Sequence, residues 1–310
     1  MPSSEYELII IGGGPAGITA GIYSSRARIK TLLIEKSLLG GQINYTNRIE
    51  NYPGFKGGIS SWELCQNLAY HIKELGLPVE IAEVKEIILR EQEKLVRLDD
   101  KVIKSTGLII ATGATPNTLG IEGEEKFTGR GVSYCATCDG PLFRNMQVAV
   151  VGGGDRALGE ALFLSKTAKD VFIIHRRDKF RATKILQEKV SAEKNIHIVW
   201  NSVVEKIEGN QSVKSLIVKD VRTQKKHAMT VQGVFIFIGI HPNSELVRDK
   251  IKLDNLGCII TDENMETSER GVFAAGDVRS KLLRQIATAV GDGANATFAA
   301  QRYLENLKNA

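Results

Sequence analysis

Two cysteines stand two residues apart, followed at once by a carboxylate, in Ser133-Tyr-Cys-Ala-Thr-Cys-Asp-Gly140. This spacing supports a structural clip, half of a metal site, or a dithiol that exchanges electrons, and Cys-x-x-Cys alone does not choose among them. A zinc site needs about four ligands. Cys65 and Cys258 are isolated and the five histidines fall in no ligand spacing, so no metal is expected. A clip closing so short a loop would constrain little chain entropy. The dithiol is left, with Cys135 and Cys138 as its members. Thiolate is the reactive form, and Cys-x-x-Cys spacing commonly lowers the pKa of one thiol. Asp139 can supply and remove a proton as a disulfide opens and closes; its plainer role is an Asp-Gly turn.

Such a pair needs an electron source, and the flanking segments have the form of nucleotide loops. Tyr6 to Ile11 is an apolar, β-branched run suited to a strand buried on both faces. Gly12-Gly-Gly-Pro-Ala-Gly17 follows, placing Gly12, Gly14 and Gly17 in G-x-G-x-x-G spacing ahead of a helical pattern through Ile18 and Ile22. A second strand, Thr31 to Ile34, ends at Glu35, eighteen residues after Gly17. That is near the spacing of about 20 for an acid that accepts a ribose hydroxyl. Gly12 permits the turn, Gly14 admits a pyrophosphate, Gly17 lets helix and strand close up, and the helix N-terminus faces the phosphates.

The pattern repeats. Gln147 to Val151 reads as a strand and Gly152-Gly-Gly-Asp-Arg-Ala157 is G-x-G-x-x-A, with the next strand at Val171 to Ile174. No acid follows this strand; His175-Arg176-Arg177 does, with Arg181 four residues on. Arginines there suit a 2′-phosphate, so this site should prefer NADPH to NADH. Short alternating strands follow each unit, at Val79 to Lys104 and Ile196 to Thr230, and each set closes on an apolar strand ending in glycine, at Gly113 and Gly239. Gly271-Val-Phe-Ala-Ala-Gly-Asp277 reads as a further buried strand with an acid at its end, ahead of a helical pattern from about Ile286 to Leu307. The fold expected is therefore α/β: two Rossmann-like dinucleotide-binding domains, the second inserted into the first, as residues 1–114 plus 245–310 and residues 115–244. The crossings, near Ala114–Asn117 and His241–Glu245, each hold an X-Pro step that disfavours helix. Two such folds imply two dinucleotides, and electron transfer between a nicotinamide and a flavin is the reason to hold both.

Bulk properties narrow the class. With 310 residues, 43% hydrophobic and 25% charged, the chain is globular and large enough for two domains. A net charge of +5 without a basic run beyond His175–Arg177 argues for a local anion site rather than nucleic-acid binding. The first apolar run, Leu8 to Ile11, is too short for a signal peptide, and no stretch approaches the roughly 18 apolar residues of a membrane span. Four cysteines are no secreted framework, so the compartment expected is the cytoplasm.

These segments, with Gly40-Gly-Gln42, Glu50-Asn-Tyr-Pro-Gly54, Ala111-Thr-Gly113, His175 to Arg181, Ala275-Gly-Asp277 and Arg284-Gln285, resemble the low-molecular-weight thioredoxin reductases, class II pyridine nucleotide-disulfide oxidoreductases, over nearly the whole chain. The resemblance implies a cytoplasmic homodimeric flavoprotein that moves electrons from NADPH through FAD and the Cys135–Cys138 pair to a thioredoxin-type protein. It implies that Cys138 lies nearer the flavin and that Cys135 attacks the partner. It assigns FAD to Gly12, Gly14, Pro15, Ala16, Gly17, Glu35, Gly40, Gly41, Gln42, Asn51, Val84, Ala111, Thr112, Gly113, Gly276, Asp277, Arg284, Gln285 and Ile286. NADPH falls to Gly152, Gly154, Asp155, Arg156, Ala157, His175, Arg176, Arg177, Arg181 and Gly239. It also implies rotation of the inserted domain, because dithiol and nicotinamide need the same flavin ring.

The sequence departs from the family's pattern in two places. Pro141-Leu142 stand where aromatic residues are frequent beside the partner, with Arg130 as a polar contact, and Arg156 and Gly159 alter the second loop. Other readings on the same residues are a reductase with a different donor, such as ferredoxin, or a different partner, a flavin dithiol oxidase, and a non-enzymatic redox sensor.

Overall fold

The strand Tyr6–Ile11 is buried through its last four residues, as expected of a parallel strand covered by helices on both faces. A computed structural model describes residues 5–45 and 48–309. The first four residues lie outside the described residues. Tyr6–Ile11 pairs in parallel with Thr31–Glu35 on one side and Val102–Ile110 on the other. Val79–Ile81 extends the sheet beyond Thr31–Glu35, and Val272–Ala274 joins Val102–Ile110 in parallel. Lys94–Arg97 and Glu86–Leu89 add an antiparallel edge.

Alternation divides this sheet between two cores. Leu8, Ile10, Leu33 and Phe273 face the helices Pro15–Arg26 and Ile286–Asn309. Ile9, Ile11, Ile34 and Val272 face the opposite side with Val96 and Val278. The two helices approach closely because Gly293 lacks a side chain: a Cβ there would lie 2.2 Å from the Ala16 carbonyl oxygen. Thr297 Oγ1 donates to the Ala20 carbonyl at 3.2 Å across the same seam.

A second parallel sheet has the order Val132–Ser133, Gly233–Phe237, Gln147–Gly152, Asp170–Ile174, Ile196–Val199. An antiparallel meander, Ser202–Gly209, Val213–Asp220 and Lys226–Thr230, follows it. The registers of the two sheets correspond: Ile11 lies opposite Ile34, and Val151 opposite Ile174, so Glu35 and His175 hold equivalent places. The chain passes between the sheets through one antiparallel ladder, Ala114–Pro116 against Ile240–Pro242. Asn243 fastens it, donating Nδ2–H to the Thr112 carbonyl at 2.8 Å and accepting from Thr115 Oγ1 at 3.0 Å.

One expectation changes in detail. The strand expected over Gly271–Asp277 spans only Val272–Ala274. Gly276, at φ +81°, turns the backbone into the 3-10 segment Gly276–Val278, so Asp277 projects from a turn. Among the described residues no helix is long and apolar enough to cross a membrane.

Candidate active site

Cys135 and Cys138 form a disulfide, their sulfurs 2.07 Å apart. Cys138 lies within the short helical segment Ala136–Asp139, and Ala136, wholly buried, anchors that segment on the second core. Ser133, at the end of its strand and 4% exposed, organises the loop. Its hydroxyl accepts the Cys135 N–H at 3.1 Å and donates to Asp139 Oδ2 at 2.6 Å. The Tyr134 hydroxyl donates to Glu124 Oε1 at 2.8 Å, and burial followed by this bond keeps the phenol protonated well above its ordinary range. Tyr134 therefore braces the loop.

The other side of the dithiol loop meets the first unit. Gln285 Nε2 donates to Thr137 Oγ1 at 3.2 Å and lies 4.0 Å from Cys135 Sγ. Asn51 Nδ2 in turn donates to Gln285 Oε1 at 3.0 Å. Of the residues expected at the flavin, Gln285 thus reaches the redox loop, and Asn51 supports it from behind.

In the first glycine loop Gly12 has φ +108°, and a Cβ there would lie 2.3 Å from the Ala111 carbonyl oxygen. A Cβ on Gly17 would lie 1.8 Å from the Gly12 carbonyl oxygen, whereas one on Gly14 meets nothing nearer than 3.9 Å. Tight packing at the first and third glycines and room at the second make a cradle for an anion. Glu35, 9% exposed, clasps the loop: Oε2 accepts the Gly13 N–H at 2.6 Å, and Oε1 accepts the Ser37 N–H at 2.9 Å. The Gly40 N–H donates to the Gly13 carbonyl at 2.8 Å. Gln42 Nε2 donates to the Ala114 carbonyl at 2.7 Å and to Asp277 Oδ2 at 3.4 Å.

Asp277 Oδ1 is buried without a hydrogen-bond partner among the described residues. Burial pushes this carboxyl upward, against the pull of Lys281 and Arg284. A buried acceptor left open is costly unless a ligand donor meets it. Beneath it, Asp292 accepts the Gly276 N–H at 3.0 Å and pairs with Lys281 at 2.7 Å and Arg279 at 2.9 Å. Arg284 braces the same turn through the carbonyls of Asp277, Lys281 and Arg279. Ile286 opens the long helix. Of the remaining flavin candidates, Ala111 is buried in the first core, Val84 packs beside Ile34 on the other face, and Thr112–Gly113 lead into the ladder.

The second loop is organised alike. A Cβ on Gly152 would lie 2.5 Å from the Phe237 carbonyl oxygen, and one on Gly154 meets nothing within 4 Å. His175, 6% exposed, packs its ring where a Cβ on Gly153 would sit, at 2.3 Å. Its Nε2 lies 3.1 Å from the Lys179 carbonyl oxygen, and burial lowers its pKa, favouring neutral imidazole. The Arg181 N–H donates to the Gly153 carbonyl at 2.8 Å, and the Thr183 N–H to Asp155 Oδ1 at 2.7 Å. The loop carrying Arg176, Arg177 and Arg181, all exposed, is thereby stitched to the glycine loop. Arg156 lies over the Phe237 ring at 5.4 Å, and its Nη2 donates to the Tyr134 carbonyl at 3.4 Å. A Cβ on Gly239 would press on Asn117 Nδ2 at 2.9 Å.

Ser133, Thr137, Asn243 and Asp292 were not anticipated. Only Ser133 and Thr137 carried a signal, as hydroxyl residues within the cysteine segment. The residues present fit two dinucleotides: open space at Gly14 and Gly154, an unmet acceptor at Asp277, and exposed arginines beside the second loop.

Residues 6–293 match the family described as pyridine nucleotide-disulphide oxidoreductase. The thioredoxin reductase of Listeria innocua is 44% identical over 313 residues, covering 100% of this chain and 98% of its own. The crystal structure of thioredoxin reductase from Streptococcus pyogenes, at 44% identity, superposes with TM-score 0.93 over 97% of this chain and 98% of its own. The Lactococcus lactis thioredoxin reductase structure described as the FR conformation, at 43% identity, gives 0.68 over 97% of this chain and 100% of its own.

Proposed function

This chain belongs to the pyridine nucleotide-disulphide oxidoreductases, and from that premise we propose that it is a thioredoxin reductase drawing electrons from NADPH by way of FAD. The observation that carries this is a disulfide held between two nucleotide-type glycine loops and touched by Gln285 from the first unit. FAD, when bound, supplies two-electron chemistry between a pyridine nucleotide and a disulfide. Gly12–Gly17, Glu35, Gly40–Gln42, Asn51 and Asp277 would hold it, and Asp277 Oδ1 would accept a ligand hydroxyl. The N-terminus of the Ile286–Asn309 helix would favour negative charge on that ligand. Gly152–Ala157 would receive the second pyrophosphate, and Arg176, Arg177 and Arg181 the 2′-phosphate. His175 and Asp155 would act from behind, by fixing those loops.

In the dithiol steps, Cys135 thiolate attacks a disulfide of the partner. One partner sulfur leaves as thiolate and takes a proton, and a mixed disulfide forms. Cys138 then attacks Cys135, restoring their disulfide and releasing the partner's second thiolate. Asp139, set by Ser133, moves the proton at Cys138.

In the arrangement described, the redox loop faces the first unit through the Gln285–Thr137 contact. The division into residues 1–114 with 245–310, and 115–244, would let the inserted part turn about the Ala114–Pro116 and Ile240–Pro242 ladder. Two relatives of nearly equal identity superpose with TM-scores of 0.93 and 0.68, which supports two dispositions of the same parts. A homodimer in a reducing, cytoplasmic compartment completes the proposal.

The test is anaerobic titration of the FAD-loaded protein with NADPH and with NADH, followed by addition of thioredoxin. NADPH should bleach the flavin absorbance at far lower concentration than NADH, and thioredoxin should restore it. An unbleached flavin defeats the NADPH assignment. Bleaching that oxygen reverses and thioredoxin does not would make the protein a dithiol oxidase.

A further inference from the structure

We propose that Thr137 is a catalytic residue. Its hydroxyl stabilises the Cys135 thiolate, and Gln285 strengthens that effect only while the redox loop is docked on the first unit. Thr137 Oγ1 lies 3.4 Å from Cys135 Sγ. In the disulfide this sulfur carries no hydrogen, so the hydroxyl is the donor. The neighbouring bonds leave it free to be one. Gln285 Nε2 donates to Thr137 Oγ1, occupying a lone pair and leaving the hydroxyl hydrogen for the sulfur. Asn51 Nδ2 donates to Gln285 Oε1. All three bonds point one way, from Asn51 through Gln285 and Thr137 to Cys135, and aligned donors polarise one another.

The relay spans two parts of the chain. Thr137 and Cys135 move with the second sheet, whereas Asn51 and Gln285 stay with the first. When the disulfide opens in the docked arrangement, negative charge develops on Cys135 under a polarised hydroxyl. A thiolate so stabilised forms readily but attacks weakly. When the loop swings away, Thr137 loses Gln285 and the sulfur regains nucleophilic strength as it becomes reachable. The charged groups around the loop remain: Asp139 held by Ser133, Glu124 behind Tyr134, and Arg156 on the Tyr134 carbonyl.

The inference rests on Cys135 being the exchanging sulfur, and its test requires neither NADPH nor thioredoxin, so the two can fail separately. In FAD-loaded Cys138→Ser protein, Cys135 is the accessible thiol, since Cys65 and Cys258 are buried. Its alkylation by iodoacetamide is followed against pH with Thr137, Thr137→Val or Thr137→Ser. Loss of one hydrogen bond to a charged group should move the midpoint upward by about one pH unit. Because nucleophilicity falls as thiolate stability rises, Thr137→Val should slow alkylation about threefold near pH 7 and speed it about threefold at high pH. Thr137→Ser should follow the parent. A mere change of access would shift all rates by one factor, and superimposable or parallel curves would overturn the role. Gln285→Leu, checked for flavin content, should move the curve the same way by a smaller amount. A Val effect without a Leu effect would overturn the dependence on docking. If Thr137→Val fails to retain flavin, Thr137→Ala against Thr137→Ser gives the same comparison.

Discussion

The two glycine loops share a backbone plan and differ in the residue that clasps them. At the end of the second strand of each unit, one side chain closes on the middle glycine: Glu35 on Gly13, and His175 on Gly153. Glu35 does so with a carboxylate that also accepts the Ser37 N–H. His175 does so with an enclosed ring whose pKa burial lowers, and Arg176, Arg177 and Arg181 stand exposed beside it. Replacing acid by imidazole keeps the loop supported while changing the chemical group presented there. The third position also differs. Gly17 is pressed against the Gly12 carbonyl, while the second loop accommodates Ala157.

The largest expected effect falls on that third position. Gly17→Ala drives a methyl into a carbonyl 1.8 Å away and should yield protein without flavin and with a collapsed thermal transition. The converse, Ala157→Gly, should cost about 1 kcal/mol of helix stability and keep both cofactors. Flavin absorbance of the purified variants distinguishes them, and a flavin-loaded Gly17→Ala protein would break the comparison. Next, if Arg176 and Arg177 bind a 2′-phosphate as proposed, Arg176→Ala with Arg177→Ala should lower kcat/KM for NADPH about 10²- to 10³-fold while that for NADH moves little. Equal losses for both nucleotides would place the arginines elsewhere. Asp155→Ala frees the Thr183 N–H and should raise KM for NADPH about threefold to tenfold, with kcat preserved in steady-state assays.

The smallest effect concerns pH. Burial depresses the pKa of His175 below the 6.5 of free imidazole, so the unfolded chain takes up the proton before the folded one. Stability from this group is present above pH 6.5 and is lost as pH falls toward its folded-state value. His175→Gln should flatten the acid decline in Tm by about 2 °C. A decline as steep as that of the parent would assign it to other groups.

The fold and both glycine loops were legible because their requirements are local. Gly12 and Gly17 answer to sterics within one strand–turn–helix, and Arg176 and Arg177 announce themselves by following a strand. What escaped acts across distance. Asp292 supports the Asp277 turn from the far side of a helix start, Asn243 joins the two crossings, and Thr137 gains meaning only from Gln285, which arrives 148 residues later. The Asp277 segment looked like a longer strand because Ala-Ala-Gly is apolar, and the left-handed turn at Gly276 ended it early.

The ladder between the two sheets has a consequence for how such a chain can be built. Ala114 faces Pro242 directly, so the inserted segment leaves and re-enters the first unit at a single point. The interrupted unit therefore spans its gap with two adjacent strand ends, which a short turn could join into an ordinary hairpin. Excision of the second sheet in this way should leave a continuous flavin-binding protein, and the excised piece, with its own termini side by side, is a module that could be grafted into another hairpin.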